Sequence, residues 1–263
     1  MLKQFARNSA VKLFSLAARM RLHRIPLFNR AFLASYSIYK QYFEAGPIDG
    51  LKEFVPPGAL VIDVGANIGF FAVRFARWVG GSGKVIAIEP EEENFGRLLS
   101  ALGRAGVLDR VQAIKAVAAA EPGTRLLEIN PLHPADHKLS VDNRGTPVAA
   151  VTIDELARAE PAPKATLIKV DVQGAEMLVL RGAAEVLRTA RPALFIELHD
   201  DSLRRFGTSS AAVLNYLSGF GYVPHWLEHG RAHQKTDLEG IRAAAARSGY
   251  VDVLFLAAAA GGG

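Results

Sequence analysis

An apolar run at residues 60–64 leads into Gly65-Ala66-Asn67-Ile68-Gly69, with Asp63 two residues before the first glycine. Glycine at 65 and 69 allows a sharp turn and a close approach of backbone to ligand. A helix beginning near Gly69 would aim its free N–H groups and positive dipole end at the same point. That is the chemistry of a nucleotide-like site. The glycine spacing is not G-x-G-x-x-G, and a carboxylate at 63 is poorly suited to a pyrophosphate. Asp63 suits a ligand with a cationic amino group, such as the methionine part of S-adenosylmethionine (SAM). The next apolar run ends in Glu89-Pro90, 20 residues after Gly69. A carboxylate there can accept both hydroxyl protons of an adenosine ribose. Together these features favour a SAM site formed by Asp63, Gly65, Ala66, Asn67, Gly69 and Glu89. A dinucleotide site and a plain structural turn are the competing readings.

Methyl transfer from a sulfonium is an in-line displacement, so the protein must align the acceptor and often remove its proton. Asp171 ends a later apolar run, at the expected sheet edge of Gly65 and Glu89; it reads as an active-site acid or base, or as a helix cap. Glu176 falls in the first turn of the next helix, where substrate contact and dipole stabilisation are both open. Lys169 alternates with apolar neighbours and is expected on the other side of the sheet. Glu197 and His199 alternate to one face at the end of a further strand. His199 reads as a proton acceptor near neutral pH, or as an ordinary surface histidine. His133, Asp136 and His137 share the segment HPADHKLS. The H-x-x-x-H spacing resembles two metal ligands, but Pro134 intervenes and no helix is evident, so no metal site is expected.

These groups need a scaffold that gathers strand ends. Strands are expected at 60–64, 85–89, 111–114, 167–171 and 194–198, and helices at 70–79, 91–103, 175–187 and 209–220. Residues 116–152 are less regular, with short extended pieces at 126–129 and 148–152. Residues 222–227 and 251–256 close the pattern as a strand pair. Strands alternating with helices indicate a doubly wound α/β fold with a parallel sheet covered on both faces. The closing pair suggests one antiparallel strand at the edge. Upstream, Leu2, Phe5, Leu13, Leu16 and Met20 fall on one face of an amphipathic helix over 2–22. A second helix is expected over 31–44, rich in aromatic residues. The boundaries expected are an N-terminal segment 1–46, a catalytic domain 47–256 and a tail 257–263 with nothing to bury.

The charge is unevenly placed. Residues 1–43 carry eight Lys and Arg and no acid, which leaves 23 basic against 26 acidic side chains in the rest. Nucleic-acid enzymes spread basic residues around the working cleft, so no nucleic-acid partner is expected. Residues 1–24 could instead dock on an anionic membrane surface, or pack on the domain. No apolar run reaches the ~20 residues that span a bilayer, and a cytoplasmic protein is expected. The absence of cysteine removes disulfides, thiolate zinc sites and cysteine nucleophiles.

DVGANIG (63–69), EPEEENFGRL (89–98), TIDEL (152–156), IKVDVQGAEMLVLRGA (168–183) and RPALFIEL (191–198) resemble the FkbM-type methyltransferases in order and spacing. The resemblance implies a class I, Rossmann-like architecture: a seven-stranded, mostly parallel sheet whose last strand is antiparallel. It implies SAM as donor and, usually, a hydroxyl oxygen on a small molecule, sugar or glycan as acceptor. It places Glu197 near the active site and acceptor contacts in the variable segment containing His137. One departure stands out. The family commonly reads D-V-E-G-A-E, and this chain has Gln173 at the first glutamate, which removes one carboxylate from that loop. A nucleotide-dependent oxidoreductase and a non-catalytic SAM-binding, membrane-associated protein remain the alternatives.

Overall fold

Burial of short apolar runs on both faces builds the sheet that carries the site. A computed structural model describes residues 48–130, 137–142, 144–160, 164–228 and 233–258. Strand β1 (Leu60–Val64) is buried along its whole length. It lies between β2 (Lys84–Ile88) and β8 (Ala165–Val170), parallel to both. β3 (Val111–Ile114) continues beyond β2 and β9 (Ala193–Leu198) beyond β8, again parallel. Parallel strands buried on both faces read as near-continuous apolar runs, which is why these were legible. β12 (Val251–Ala257) runs antiparallel to β9, and β10 (Tyr222–Trp226) antiparallel to β12. With the two-residue β11 (Gln234–Lys235), the sheet has eight strands in the order β11-β10-β12-β9-β8-β1-β2-β3.

The expected seven strands thus become eight, because Gln234–Lys235 adds a short edge pairing on β10. The last strand, β12, is antiparallel to its neighbours as expected but lies inside the sheet, while the edge is taken by β11, antiparallel to β10. Chain reversal through α8 (Leu238–Ser248), an unexpected helix, brings β12 back between β9 and β10. β12 takes that interior position because Val253, Leu254 and Phe255 are all fully buried.

Helices cover both faces. α1 (Phe70–Trp78) and α2 (Glu92–Ala105) cover one, where Phe71, Phe75, Leu98 and Leu102 meet Val61, Val85 and Leu167. The other face carries α4 (Glu176–Arg181), α5 (Ala184–Thr189), α6 (Asp200–Arg205) and α7 (Ser210–Ser218), packed on Ile62, Ile168 and Ile196. Truncating a buried Leu or Ile here to Ala would cost about 2–5 kcal/mol. The helix expected over 175–187 is two helices, parted at Gly182-Ala183. The Gly182 carbonyl accepts the Asp154 N–H at 2.9 Å. The Asp154 carboxylate in turn accepts the N–H groups of Glu185 and Val186 at 3.0 and 2.9 Å, and so caps α5 from the helix α3 (Ile153–Arg158).

The irregular segment forms a second sheet of four strands. Its order is β4 (Val117–Ala118), β7 (Thr146–Val151), β5 (Gly123–Glu128) and β6 (Lys138–Leu139). Leu127, Leu139 and Val117 form its buried side. The helices expected within residues 1–46, His133, Asp136 and the tail from 259 lie outside the described residues; Ala257, placed in that tail by the sequence pattern, closes β12. No helix among the described residues is long and apolar enough to cross a membrane.

Candidate active site

The strand order fixes which residues can meet. β2, β1, β8 and β9 are successive neighbours, parallel, and end at one edge. Residues just past their ends are Glu89, the 65–68 loop, Asp171 and His199. β12 is antiparallel, so its preceding residue, Tyr250, reaches the same edge. These groups line one cavity of about 340 Å³, within the usual size range of a small-molecule site.

At one end lies Glu89. Its side chain is only 5% exposed, yet it lines the cavity. One carboxylate oxygen accepts the Asn67 N–H at 2.9 Å and the other the Glu91 N–H at 3.0 Å. Each oxygen keeps a lone pair for a ligand donor. Burial pushes the Glu89 pKa up to about 7, against the lowering pull of these two N–H groups. Beside it, Ala116, Val117, Leu127 and Leu139 give an apolar slot roofed by the second sheet. The sequence reading missed this slot. Its walls come from β4, β5 and β6, of which the sequence pattern showed only β5, as a short extended piece at 126–129.

The glycine loop joins the two ends. The N–H groups of Gly65 and Ala66 both donate to the Ile88 carbonyl at 3.0 Å. Gly65 has φ +74°, and a Cβ there would overlap the Asp171 carbonyl. Asn67 adopts φ +50°, a region Asn tolerates. Its Oδ1 accepts the Ile68 N–H at 2.7 Å. Gly65, Ala66 and Asn67 line the cavity, but Gly69 does not. Gly69 faces α2, where a Cβ would stand 2.9 Å from Leu98 Cδ1. That glycine serves helix packing and the left-handed start of α1, not close approach to a ligand.

Asp63 is also absent from the cavity wall. It is fully buried on the α1 face, in register with Lys169 on the adjoining strand. In-register neighbours on parallel strands point to the same face, so the cation facing Asp63 is Lys169, with Nζ 3.4 Å from Oδ1. Burial raises the Asp63 pKa, while Lys169 acts to lower it. Lys169 itself reaches the cavity, contrary to its expected place on the other side of the sheet. Its ammonium donates to the Gly65 carbonyl at 2.8 Å, lies 3.6 Å from Asp171 Oδ2 and sits over the Phe71 ring. Its strand position two residues before Asp171 was the available signal.

The far end gathers Asp171, Gln173, Glu197, His199 and Tyr250. Gln173 Nε2 donates to Asp171 Oδ1 at 3.2 Å and to Glu197 Oε1 at 3.0 Å. His199 caps α6: its Nδ1 accepts the Ser202 N–H at 3.3 Å and lies 2.6 Å from Ser202 Oγ. With Nδ1 accepting, the neutral ring carries its proton on Nε2. His199 therefore offers a donor here rather than the expected proton acceptor.

Two further expectations move. Glu176 is 2% exposed and does not line the cavity. Its Oε1 accepts the Gly174 N–H at 3.0 Å, and burial lifts its pKa to about 7. It holds the loop that carries Gln173 instead of touching substrate. His137 lines the cavity at the Glu89 end, beside Glu91, and not beside Asp171. Its Nε2 lies 3.7 Å from Glu91 Oε2 and its Nδ1 accepts the Asn130 N–H at 3.1 Å.

Residues 63–224 match the Methyltransferase FkbM domain, more than half of the 263-residue chain. The chain belongs to the FkbM methyltransferases. SAM is the cofactor of the family, and the cavity fits it: a buried carboxylate with spare acceptor capacity, an apolar slot beside it, and the loop 65–68 along its wall. Among curated proteins, the hexuronic acid methyltransferase AglP of Haloferax volcanii is 30% identical over 138 residues, covering 52% of this chain and 54% of that protein. The chain thus spans about half the length of this curated relative. Solved structures similar to it include an FkbM methyltransferase from Methylobacillus flagellatus, at 18% identity and TM-score 0.49, covering 84% of this chain and 53% of that one. Aeropyrum pernix fibrillarin with bound SAM is another, at 13% identity and TM-score 0.42, covering 77% of this chain and 67% of that one.

Proposed function

We propose that this FkbM methyltransferase transfers the SAM methyl group to a hydroxyl oxygen of a sugar, glycan or other hydroxylated small molecule. The observation that carries this reading is the separation of functions along one sheet edge. Glu89 and the apolar slot lie at one end. Asp171 at the end of β8 and Glu197 on β9 lie two and three strand spacings from the Glu89 end of β2, about 10 and about 14 Å. Glu89 accepts the ribose hydroxyls, the slot takes the purine, and the loop 65–68 borders the remainder of the nucleoside. When bound, SAM supplies a methyl group on a good leaving group. The chain supplies alignment and a place for the acceptor proton. An alcohol is very weakly acidic, so a carboxylate near the reacting oxygen assists as the C–O bond forms. Asp171 and Glu197 are the carboxylates in reach, and His199 Nε2–H donates to a neighbouring acceptor oxygen.

The AglP relative, named for a hexuronic acid, favours a sugar acceptor. Docking of residues 1–24 on an anionic membrane, and action in the cytoplasm, belong to this proposal as well. They would bring the site to lipid-borne glycans.

Calorimetry with pure protein tests the cofactor first. S-adenosylhomocysteine (SAH) should bind and NAD should not; NAD binding without SAH binding would return the oxidoreductase reading. Tritium transfer from methyl-labelled SAM to a panel of neutral sugars, uronic acids and glycolipids then tests the acceptor. Label should appear as an alkali-stable ether; base-labile label throughout would mean carboxyl methylation and refute the hydroxyl assignment. Sedimentation with anionic liposomes, with and without residues 1–45, tests the membrane component, and equal pelleting of the two would remove it.

A further inference from the structure

Gln173 sits where a carboxylate stands in the commonest form of the family motif, and its surroundings say what the amide does. Its two N–H bonds meet two different carboxylates, at Asp171 Oδ1 and Glu197 Oε1. Both partners accept only, which fixes the amide with its nitrogen inward. The backbone is built to hold it there. Gln173 adopts φ +55°, a left-handed conformation unfavourable for a residue with a side chain. Gly174 follows at φ +107°, and a Cβ there would press on the Ser202 carbonyl. Glu176 clamps the Gly174 N–H. Lys169 lies on the other oxygen of Asp171. A left-handed two-residue turn therefore delivers one NH2 group to the point between two carboxylates.

We propose that Gln173 is a positioning residue that cross-links Asp171 and Glu197 through its amide, in the place a divalent cation would need, so that the acceptor end works without such a cation. This rests on the reading of that end given above. A hard divalent cation requires oxygen ligands around it. The Gln173 NH2 presents hydrogens instead, which repel a cation and neutralise the lone pairs that would bind one. An oxygen at the same atom would complete three convergent carboxylates.

The test uses the full chain and manganese(II) as probe, followed by paramagnetic resonance and calorimetry, with SAH affinity measured on every variant. The wild type should take up no stoichiometric Mn2+ below about 1 mM, a range typical of weak sites. Gln173→Glu should bind one Mn2+ at least about tenfold more tightly, and the double variant Gln173→Glu/Asp171→Asn should lose it. Gln173→Ala should keep SAH affinity within about threefold while kcat, for whichever acceptor the tritium screen finds, falls at least about tenfold. The proposal is overturned by a wild-type Mn2+ site that Asp171→Asn abolishes, or by a Gln173→Glu protein that binds SAH yet takes no Mn2+. An unchanged kcat in Gln173→Ala overturns it too, even if Gln173→Glu does not fold. Loss of SAH binding in the wild type would instead fail the function proposed above, whatever manganese does.

Discussion

Glu89 makes the cofactor site sensitive to pH in a direction the structure sets. Its pKa is raised to about 7, with desolvation as the largest cause. Ribose hydroxyls donate to the ionised carboxylate, so SAH binding is linked to loss of the Glu89 proton. The ionised fraction is about nine-tenths at pH 8 and about one-tenth at pH 6 for a group titrating near 7, so the SAH Kd should rise roughly tenfold between them. Below pH 7 binding should release a proton, visible as a calorimetric enthalpy that varies with the buffer's ionisation heat. Glu89→Gln removes the charge, and its amide must present an N–H2 to one of the backbone donors at Asn67 or Glu91. Hydrogen bonds to a charged group contribute about 1.5–3 kcal/mol each, so losing the ribose contacts should weaken SAH roughly 100-fold. The same substitution should flatten the pH dependence. That control separates Glu89 from His137 and His199, which also line the cavity. A wild-type Kd that is flat from pH 6 to 8, or a Glu89→Gln protein that binds SAH normally, would refute the assignment.

Four other outcomes follow from the same geometry. Lys169→Met strands the buried Asp63 carboxylate and should cost about 3–5 kcal/mol in urea unfolding at pH 8, much of it recovered in Asp63→Asn/Lys169→Met; no recovery would show that the pair is not coupled. Gly65→Ala places a Cβ on the Asp171 carbonyl at a left-handed φ and should abolish measurable SAH binding with a stability loss above about 2 kcal/mol. Asp171→Asn and Glu197→Gln should each leave SAH affinity within about threefold, and at least one should lower kcat by about 100-fold or more; two near-normal kcat values would exclude a carboxylate base. Finally, the folded-state pKa values of Glu89 and Glu176, both about 7, lie above their unfolded ones. Their contribution to stability is present below the unfolded carboxylate range and lost as pH rises through about 7, so the cofactor-free protein should melt at a higher temperature at pH 6 than at pH 8.

What could be read in the chain was whatever depends on local pattern. β1, β2, β8 and β9 are buried on both faces, so each leaves a near-continuous apolar signature, and a strand end followed by glycine or an acid marks the edge that collects the site. Glu89, Asp171 and Glu197 come to one cavity for that reason. Partner choice is not local. Asp63 reads as a ligand for a cation, and it is one, but the cation is Lys169, supplied by a strand more than a hundred residues away in sequence and adjacent only through strand order. Gly69 shows the same limit: its glycine is required, but the neighbour that requires it is Leu98 on α2 rather than a ligand. His199 was placed at the right edge, but its Nδ1 is used by the α6 N-terminus, and capping geometry cannot be read before the helix is known to exist. Gln173 is the most informative case. A motif comparison sees only a missing charge. The structure shows that the substitution replaces an acceptor by a double donor between two carboxylates, so the sequence difference changes the sign of the interaction at that point and not merely its strength.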